Sequence, residues 1–414
     1  MTHGTEINRN IVLLPWFGFL RNLVFWQATW FLYFQSEIGA AQAILLYIVY
    51  DVSTTILEVP SGYFSDRFGR RFTLILSAVT GLLGCGLLAS GFGGFGRLVV
   101  GQALLGAHSA FVSGTDSALL YESLAAEGRQ DEIEHFELRM WRFSFAGLAL
   151  SAVIGGAMAL VAPVFPFAAS AVAFCVLIWL SLRFCEPDHS DLGLVSQRMA
   201  FAQIGTALRQ PLLVWLLCLS VLLYGYSHIP FVFGQPFILE ALADIGFNDK
   251  APLVSGVVTA IMMILSLGTS IIAPSLRRSM GLTSVLLLAF GIQIALSIIL
   301  GLTNAPWAIA LLFLRMVPDS LSRPFILASV QPMLRDQSRA TFLSLRSFLG
   351  RLVFAASLFV AAGSTWSADK LQYAEMQPIL LAYGAFGCVA LILFAVSARH
   401  VLGSKKQRDA PPPR

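Results

Sequence analysis

The connection between two apolar segments in the first quarter of the chain has a distinctive composition. It reads Gly62-Tyr63-Phe64-Ser65-Asp66-Arg67-Phe68-Gly69-Arg70-Arg71. The flanking segments, residues 41–64 and 72–91, are long enough to cross a bilayer, which takes about 20 mostly apolar residues. An acid, two glycines and three arginines in so short a connection predict a tight, charged turn at a membrane surface.

The composition of the whole chain places most of it in lipid. Of the 414 residues, 57% are hydrophobic and 12% are charged, and the mean hydropathy is +0.76. A soluble domain carries about 25% charged residues, so a soluble enzyme is excluded. The net charge of +4 comes from short basic clusters between apolar runs, which indicates membrane topology and argues against a nucleic-acid partner.

The apolar runs predict an all-α membrane protein with twelve transmembrane helices, called spans 1 to 12. Runs such as Val285–Leu302 lack the alternation of a barrel strand. The predicted spans are residues 11–34, 41–64, 72–91, 96–120, 140–161, 163–184, 211–236, 252–275, 282–303, 306–330, 340–362 and 376–398.

The basic residues orient these spans. Of the 27 Lys and Arg residues, all but eight lie in connections on one side, which the positive-inside rule assigns to the cytoplasm. We therefore expect a multi-pass protein of the inner membrane with both termini in the cytoplasm. The eight exceptions are Arg97, Lys250 and Lys370 on the outer side and Arg21, Arg315, Arg323, Arg346 and Arg351 within spans.

The longest predicted inner connection divides the spans into two sets of six, which suggests two pseudo-symmetric bundles. The tail is basic and ends in three prolines followed by an arginine, as disordered segments often do. The predicted domains are residues 1–185 for the first bundle, 186–210 for a cytoplasmic linker, 211–399 for the second bundle and 400–414 for a disordered cytoplasmic tail.

The connection quoted first matches GxxxD(R/K)xGR(R/K), the signature between helices 2 and 3 of the major facilitator superfamily, and the chain resembles the efflux-type bacterial members. The resemblance implies two six-helix bundles and a cytoplasmic gate. In the family the acid matching Asp66 faces the start of helix 11, here placed after an N-cap at Ser338. The arginine matching Arg70 pairs with an acid of helix 4, here Glu122. The implied gate residues are Gly62, Asp66, Arg67, Gly69, Arg70, Arg71 and Glu122.

Two other family motifs are degraded. Gln102 replaces the helix 4 arginine of proton-coupled members. Span 5 keeps small residues, with Gly147 followed by Gly155 and Gly156, but lacks the antiporter proline. Helix packing is expected to survive these changes, while proton coupling and antiport are less supported. The chain has no GxxxxGK[ST] phosphate loop, and its cysteines show no metal-binding spacing. We therefore expect no enzyme activity, no cofactor and no metal.

Ionisable residues within spans are functional candidates because they are costly in hydrocarbon. Arg21 lies at a depth similar to that of Asp51, so these two are a possible pair. For Arg315 and Asp319, the alternative to a role in the site is a structural ion pair. For His108 and His228, the alternative to carrying protons is to act as neutral hydrogen-bonding partners. The candidates for proton coupling are Asp51, Glu58 and Asp319. The candidates for the substrate cavity are Arg21, His108, Tyr224, His228, Arg315 and Arg351.

These features predict a monomeric secondary transporter that works by alternating access, with a small organic molecule, protons and the lipid bilayer as its partners. Proton-coupled export is the first hypothesis. Uptake of an organic anion or nutrient is the second, and a non-transporting scaffold or sensor is a remote third. Arg351, about halfway along span 11, favours a ligand with a carboxylate or similar anion, because the guanidinium fork matches both oxygens.

Overall fold

A computed structural model describes residues 2–91, 94–187, 210–330, 333, 336–365 and 370–408. This part of the chain is helical and contains no strand. In hydrocarbon, backbone N–H and C=O groups have no water to bond, so a spanning segment satisfies them within its own helix. The helices are α1 Thr2–Arg21, α2 Trp30–Ile38, α3 Ala40–Phe68, α4 Arg70–Ala89, α5 Gly94–Val112, α6 Thr115–Ala126, α7 Ile133–Val161, α8 Phe165–Ser181, α9 Pro211–Ala243, α10 Ala251–Met280, α11 Leu282–Leu302, α12 Val317–Val330, α13 Asp336–Ser364 and α14 Tyr373–Arg408.

The prediction of a twelve-span, all-α membrane protein is confirmed. In the part of the chain that the structure describes, nine spans are single helices, and spans 1, 4 and 10 are each built from more than one piece. Within the same residues ten segments are long and apolar enough to cross a membrane, and α8 is a shorter apolar helix of 17 residues. Span 10 begins with the 3₁₀ segment Pro306–Leu314 and continues as α12.

The chain forms two compact units. The first unit contains Met1–Leu192, Ile238–Ile261 and Ser357–Leu371, and the second contains Gly193–Phe237, Met262–Ala356 and Gln372–Arg414. The first unit thus includes one end of α9, α10 and α13 in addition to the first six spans. The predicted division of the chain into two bundles at the central linker stays a prediction, because residues 188–209 lie outside the described part. Helix α14 continues to Arg408, into the predicted tail, and residues 409–414 are not described.

Span 1 is interrupted between Arg21 and Trp30, where α1 gives way to the 3₁₀ segment Phe25–Ala28 and then to α2. Two of the backbone groups at this break are satisfied by side chains of other helices. Ser151 Oγ donates to the Asn22 carbonyl at 3.1 Å, and the Phe25 N–H donates to Ser170 Oγ at 3.0 Å. Serines of α7 and α8 therefore allow non-helical backbone at this depth, as buried polar partners do in other interrupted transmembrane helices.

Span 4 is interrupted at Ser113 and Gly114. Gly114 has a φ of +77°, in the left-handed region that glycine adopts at little steric cost. The break ends α5 and starts α6 at Thr115, so a new helix N-terminus lies inside the span. Its positive end can stabilise an acidic side chain in the first turn.

The small-residue face predicted for span 5 is present on α7. A side chain at Gly155 would collide with the Phe25 carbonyl, and one at Gly147 would collide with the Phe19 carbonyl. A Cβ added at Gly156 would lie 2.5 Å from the Pro252 carbonyl oxygen at the start of α10. Glycine at these positions therefore brings the backbones of span 1 and α10 against α7, as small residues do between membrane helices.

Gly155→Ala is expected to lower the thermal unfolding midpoint of the purified protein, because the added methyl group collides with the Phe25 carbonyl. Such overpacking costs about 1–3 kcal/mol. Gly86→Ala in α4 is the matched control, since no atom lies within 4 Å of the added Cβ and alanine favours a helix by about 0.5–1 kcal/mol. Midpoints measured by tryptophan fluorescence should fall for Gly155→Ala and stay level or rise for Gly86→Ala. Equal midpoints would contradict this packing.

Candidate functional site

Arg70 is the centre of a cluster of charges at the end of the first unit where α3 meets α4. Its Nη1 donates to Asp66 Oδ1 at 2.6 Å and to Ser65 Oγ at 2.8 Å, and its Nε donates to Glu122 Oε1 at 3.0 Å. One guanidinium therefore connects the end of α3 to α6, with three charge-assisted or polar contacts. The Arg70–Glu122 ion pair expected from the family resemblance is present.

Glu186, which follows the last residues of span 6, binds the start of α4. Its carboxylate accepts hydrogen bonds from the backbone N–H groups of Arg70 at 2.6 Å and Arg71 at 2.8 Å. A carboxylate at a helix N-terminus satisfies free donors and complements the positive end of the helix dipole. Gly69 has a φ of +97°, and a Cβ there would lie 2.8 Å from the Glu186 carboxyl carbon. Position 69 therefore favours glycine for two reasons: the backbone has a positive φ, and a side chain would collide with Glu186.

Asn10 connects α1 to the same cluster. This fully buried side chain donates to Ser123 Oγ at 3.0 Å and to the Cys185 carbonyl at 2.8 Å, and its Oδ1 accepts from the Cys185 N–H at 2.8 Å. Asn10 and Glu186 were absent from the residues predicted from the sequence. The acid immediately after an apolar span was the available signal for Glu186, whereas a single asparagine near the N-terminus offered none.

The other predicted gate residues differ in their surroundings. Arg71 Nη2 donates to the Leu182 carbonyl at 2.9 Å, and Arg67 is exposed and donates to the Tyr63 hydroxyl at 3.1 Å. Among the described residues, no atom lies within 4 Å of a Cβ added at Gly62, so none of them packs closely against this glycine. The expected N-cap at Ser338 is wrong, because α13 already begins at Asp336. The approach of Asp66 to span 11 stays a prediction.

Arg21 and Asp116 form an ion pair inside the membrane region of the first unit, with Arg21 Nη1 2.8 Å from Asp116 Oδ2. The pairing suggested for Arg21 from depth alone was with Asp51, and the structure instead shows Asp116 as its partner. Arg21 lies in the last turn of α1 and Asp116 in the first turn of α6. Each charge therefore lies at the end of a helix whose dipole stabilises it, and the pair connects the breaks in spans 1 and 4.

His108 lies within helix packing of the first unit. Its Nδ1 is 2.9 Å from the Ser77 carbonyl oxygen and 2.9 Å from Ser77 Oγ, and its ring packs edge-on against Phe174. Because a carbonyl accepts only, Nδ1 is the protonated nitrogen of this tautomer. His108 therefore joins spans 3, 4 and 6, the hydrogen-bonding alternative named for it above.

Asp51 and Glu58 lie on α3, as predicted. Asp51 is 1% exposed, and its carbonyl accepts from Thr55 Oγ1 at 2.8 Å. The Glu58 carbonyl accepts from Ser61 Oγ, which also donates to the Ala110 carbonyl of α5. These contacts place the Asp51 side chain in the interior of the first unit and bind the Glu58 region to span 4.

The second unit contains a polar face built from α9, span 10 and α13. The C-terminal polar face, as it is called below, consists of Tyr224, His228, Phe231, Arg315, Asp319, Arg323, Ser347, Arg351 and Phe354. Tyr224, His228 and Phe231 follow one side of α9, since they are four and three residues apart. The Arg315 guanidinium lies 5.0 Å from the centroid of the Phe231 ring, which joins span 10 to α9.

Arg351 of α13 lies beside the same face. Its Nε is 3.4 Å from Ser347 Oγ, one turn away, and the charges of Arg315, Arg323 and Arg351 all act on His228. Asp319 is close enough to Arg315 and Arg323 for their charges to act on its carboxyl group. The structure thus brings together four of the residues predicted for the cavity, Tyr224, His228, Arg315 and Arg351, together with the predicted proton site Asp319.

Comparison with known proteins defines the class of this molecule. The model of the Major Facilitator Superfamily matches residues 16–358, so the chain belongs to that family. It is a multi-pass membrane transporter and not an enzyme. No curated protein matches its sequence.

Solved structures share its fold at low identity. The nucleoside transporter NupG, in a point-mutant form, has a TM-score of 0.77 and 13% identity, with 94% of this chain and 99% of that chain covered. A D-xylose–proton symporter has a TM-score of 0.69 and 16% identity over 94% and 97% of the two chains. A POT family transporter in complex with 5-aminolevulinic acid has a TM-score of 0.71 and 12% identity over 95% and 96%.

Arg70→Ala is expected to lower the thermal unfolding midpoint, because it leaves Glu122 half-buried without its ion pair. The cost is about 1–3 kcal/mol, less than the roughly 3–5 kcal/mol of a fully buried pair. Arg67→Ala is the matched control, since it removes the same charge from the same turn but breaks only exposed contacts. Its effect should stay within about 0.5 kcal/mol. Equal loss in the two variants would show that Arg70 contributes only its net charge.

Proposed function

We propose that the chain is a secondary transporter of the inner membrane that exports a small organic anion, coupled to protons, by alternating access. Membership of the Major Facilitator Superfamily supports the transport class. The observation that carries the anionic ligand is the charge of the C-terminal polar face. Arg315, Arg323 and Arg351 lie on it with Asp319 as the only acid among its described residues. Arg346 of α13 adds a fourth positive charge close to Arg323.

An excess of positive charge in a membrane protein has a high energetic cost. Placing an arginine in mid-membrane costs about 2.5–3.5 kcal/mol on insertion scales. An excess of arginines over acids in a span is therefore expected to have a function, such as binding a ligand of opposite charge. A carboxylate on the ligand would offset that cost, and the planar guanidinium fork binds both carboxylate oxygens. The excess supports an anionic ligand over a cationic one.

The coupling ion and the direction follow from other features. Asp51, Glu58 and Asp319 are the acids that we propose for proton binding, with Asp51 first because it is the most deeply placed acid of α3. Export is favoured by the resemblance to efflux members and by the small-residue face of α7. Uptake of the same anion is the second candidate, which the excess of arginines supports equally well. We further propose that Arg70, Asp66 and Glu122 form a cytoplasmic gate whose contacts break when that side opens.

Flux in proteoliposomes tests this function. Purified protein is reconstituted with labelled benzoate, succinate, glucose or choline, and flux is measured with and without an imposed pH gradient. Gradient-dependent movement of a carboxylate, but not of glucose or choline, is expected. The sign of the gradient that accelerates loss from the vesicles separates export from uptake. Selective movement of choline would reject the anionic ligand.

Asp51→Asn is expected to abolish the response to a pH gradient while exchange of labelled for unlabelled substrate continues, because exchange requires no net proton movement. Asp249→Asn is the control, since Asp249 is an exposed acid in the connection between α9 and α10. Initial rates with and without the gradient provide the measurement. A wild-type response in Asp51→Asn would remove Asp51 as the proton site and leave Glu58 or Asp319.

Arg351→Lys is expected to raise the KM for the transported anion about tenfold, since lysine keeps the charge but loses the second hydrogen bond of the fork, worth roughly 1.5 kcal/mol. Arg278→Lys is the matched control, because Arg278 is an exposed arginine at the end of α10. Concentration dependence of the initial flux measures the effect. An unchanged KM in Arg351→Lys would make Arg351 a structural residue.

A further inference from the structure

The C-terminal polar face combines its arginines with a cluster of aromatic rings. The rings of Tyr224 and His228 lie 4.2 Å apart between centroids and are inclined by 32°, a close tilted pair along α9. Phe354 of α13 lies 5.6 Å from the His228 ring and 6.4 Å from the Tyr224 ring. Together these three residues, called the aromatic platform below, join α9 to α13.

The position of the platform is determined by close backbone packing. A Cβ added at Gly350 would lie 3.1 Å from Tyr224 Cγ, so the glycine lets the Tyr224 ring lie directly against α13. The His228 Nδ1 donates to the Tyr224 carbonyl at 2.7 Å, which limits rotation of the imidazole. These rings are therefore preorganised, and a ligand that stacks on them loses little conformational entropy from the protein.

Burial separates the platform from an ordinary packing cluster. Phe354 is 1% exposed, as a core ring is, whereas Tyr224 and His228 are only half-buried. The platform thus has a buried base and two polar aromatic rings that remain partly accessible. Arg315 already lies 5.0 Å from the Phe231 ring centroid one turn along α9, which places a positive charge next to the aromatic surface.

We propose that the C-terminal polar face binds a planar aromatic anion, with the ligand ring against the Tyr224–His228–Phe354 platform and its carboxylate on Arg351 or Arg315. This inference rests on the proposed anion transport and narrows its substrate class. Offset and edge-on ring pairs strengthen binding beyond the burial of apolar area, and the arginines orient the carboxylate. An aliphatic acid of the same size would gain the contact between its carboxylate and the arginines but not the ring–ring contacts.

Three probes of similar size test the proposal by ligand-induced thermal stabilisation of the purified full chain at pH 7. They are 2-naphthoate, its saturated counterpart decahydro-2-naphthoate, and the uncharged 2-naphthalenemethanol. We expect 2-naphthoate to bind about fivefold more tightly than the saturated acid and more tightly than the alcohol. Nonspecific partition into detergent would favour the saturated acid, which is the more lipophilic of the two, and so would produce the opposite order.

Variants of the platform residues test whether the preference for 2-naphthoate over the saturated acid arises from these rings. Tyr224→Leu should remove the advantage of 2-naphthoate over the saturated acid, while Tyr224→Phe, which keeps a ring against Gly350, should retain it. Phe348→Leu is the matched control, because Phe348 is an exposed ring on the same helix, α13. If Tyr224→Leu fails to fold, the ratio of the two affinities in Tyr224→Phe and Phe354→Leu replaces it, with the ratio lost only in Phe354→Leu.

The outcomes separate this inference from the proposed function. Equal binding of the two acids, weakened in Arg351→Lys, would overturn the aromatic platform and leave the anionic ligand intact. An unchanged preference in Tyr224→Leu and Phe354→Leu would also overturn the platform. Stabilisation by the alcohol alone, or by none of the three probes, would overturn the platform and the anionic ligand together.

Discussion

In a lipid environment every backbone N–H and C=O needs a partner inside the protein, and span 1 is interrupted where neighbouring helices supply such partners. Ser151 and Ser170 satisfy backbone groups at the break of span 1, and Gly114 turns the chain at the break of span 4. The helix ends created there stabilise charge, and Arg21 and Asp116 lie at the ends that suit them. The same requirement that makes the chain helical therefore decides where it can hold charge in the membrane.

The two units use charge differently. In the first unit two arginines form ion pairs with acids of the same unit: Arg21 pairs with Asp116, and Arg70 is shared by Asp66 and Glu122. In the second unit the described part of the polar face carries several arginines with Asp319 as its acid. Paired charges hold helices together with little field beyond the pair, whereas an excess of one sign attracts a ligand of the other sign. The proposed anion site therefore lies in the second unit, whereas the ion pairs of the first unit are structural.

Glu186 stabilises the signature turn between α3 and α4 in this chain. A glycine with positive φ leads into α4, and a carboxylate from the end of span 6 covers the N–H groups that begin the helix. Without that acid the start of α4 would expose unsatisfied donors beside Arg70 and Arg71. The turn is thus completed by a residue that lies 116 positions after Arg70, and Asn10 adds α1 to the same end through Cys185.

The sequence by itself determined the helical class, the twelve spans and the turn after span 2, because each depends on local hydrophobicity and on a period of about 3.6 residues. It also indicated the Arg70–Glu122 pair through the family signature. Tertiary structure alone decided that Arg21 pairs with Asp116, that Glu186 and Asn10 join the charged end, and that Tyr224, His228 and Phe354 meet. Depth along a helix follows from counting residues, whereas the partner of a side chain depends on how neighbouring helices rotate and where they break, and those are set by packing between distant parts of the chain.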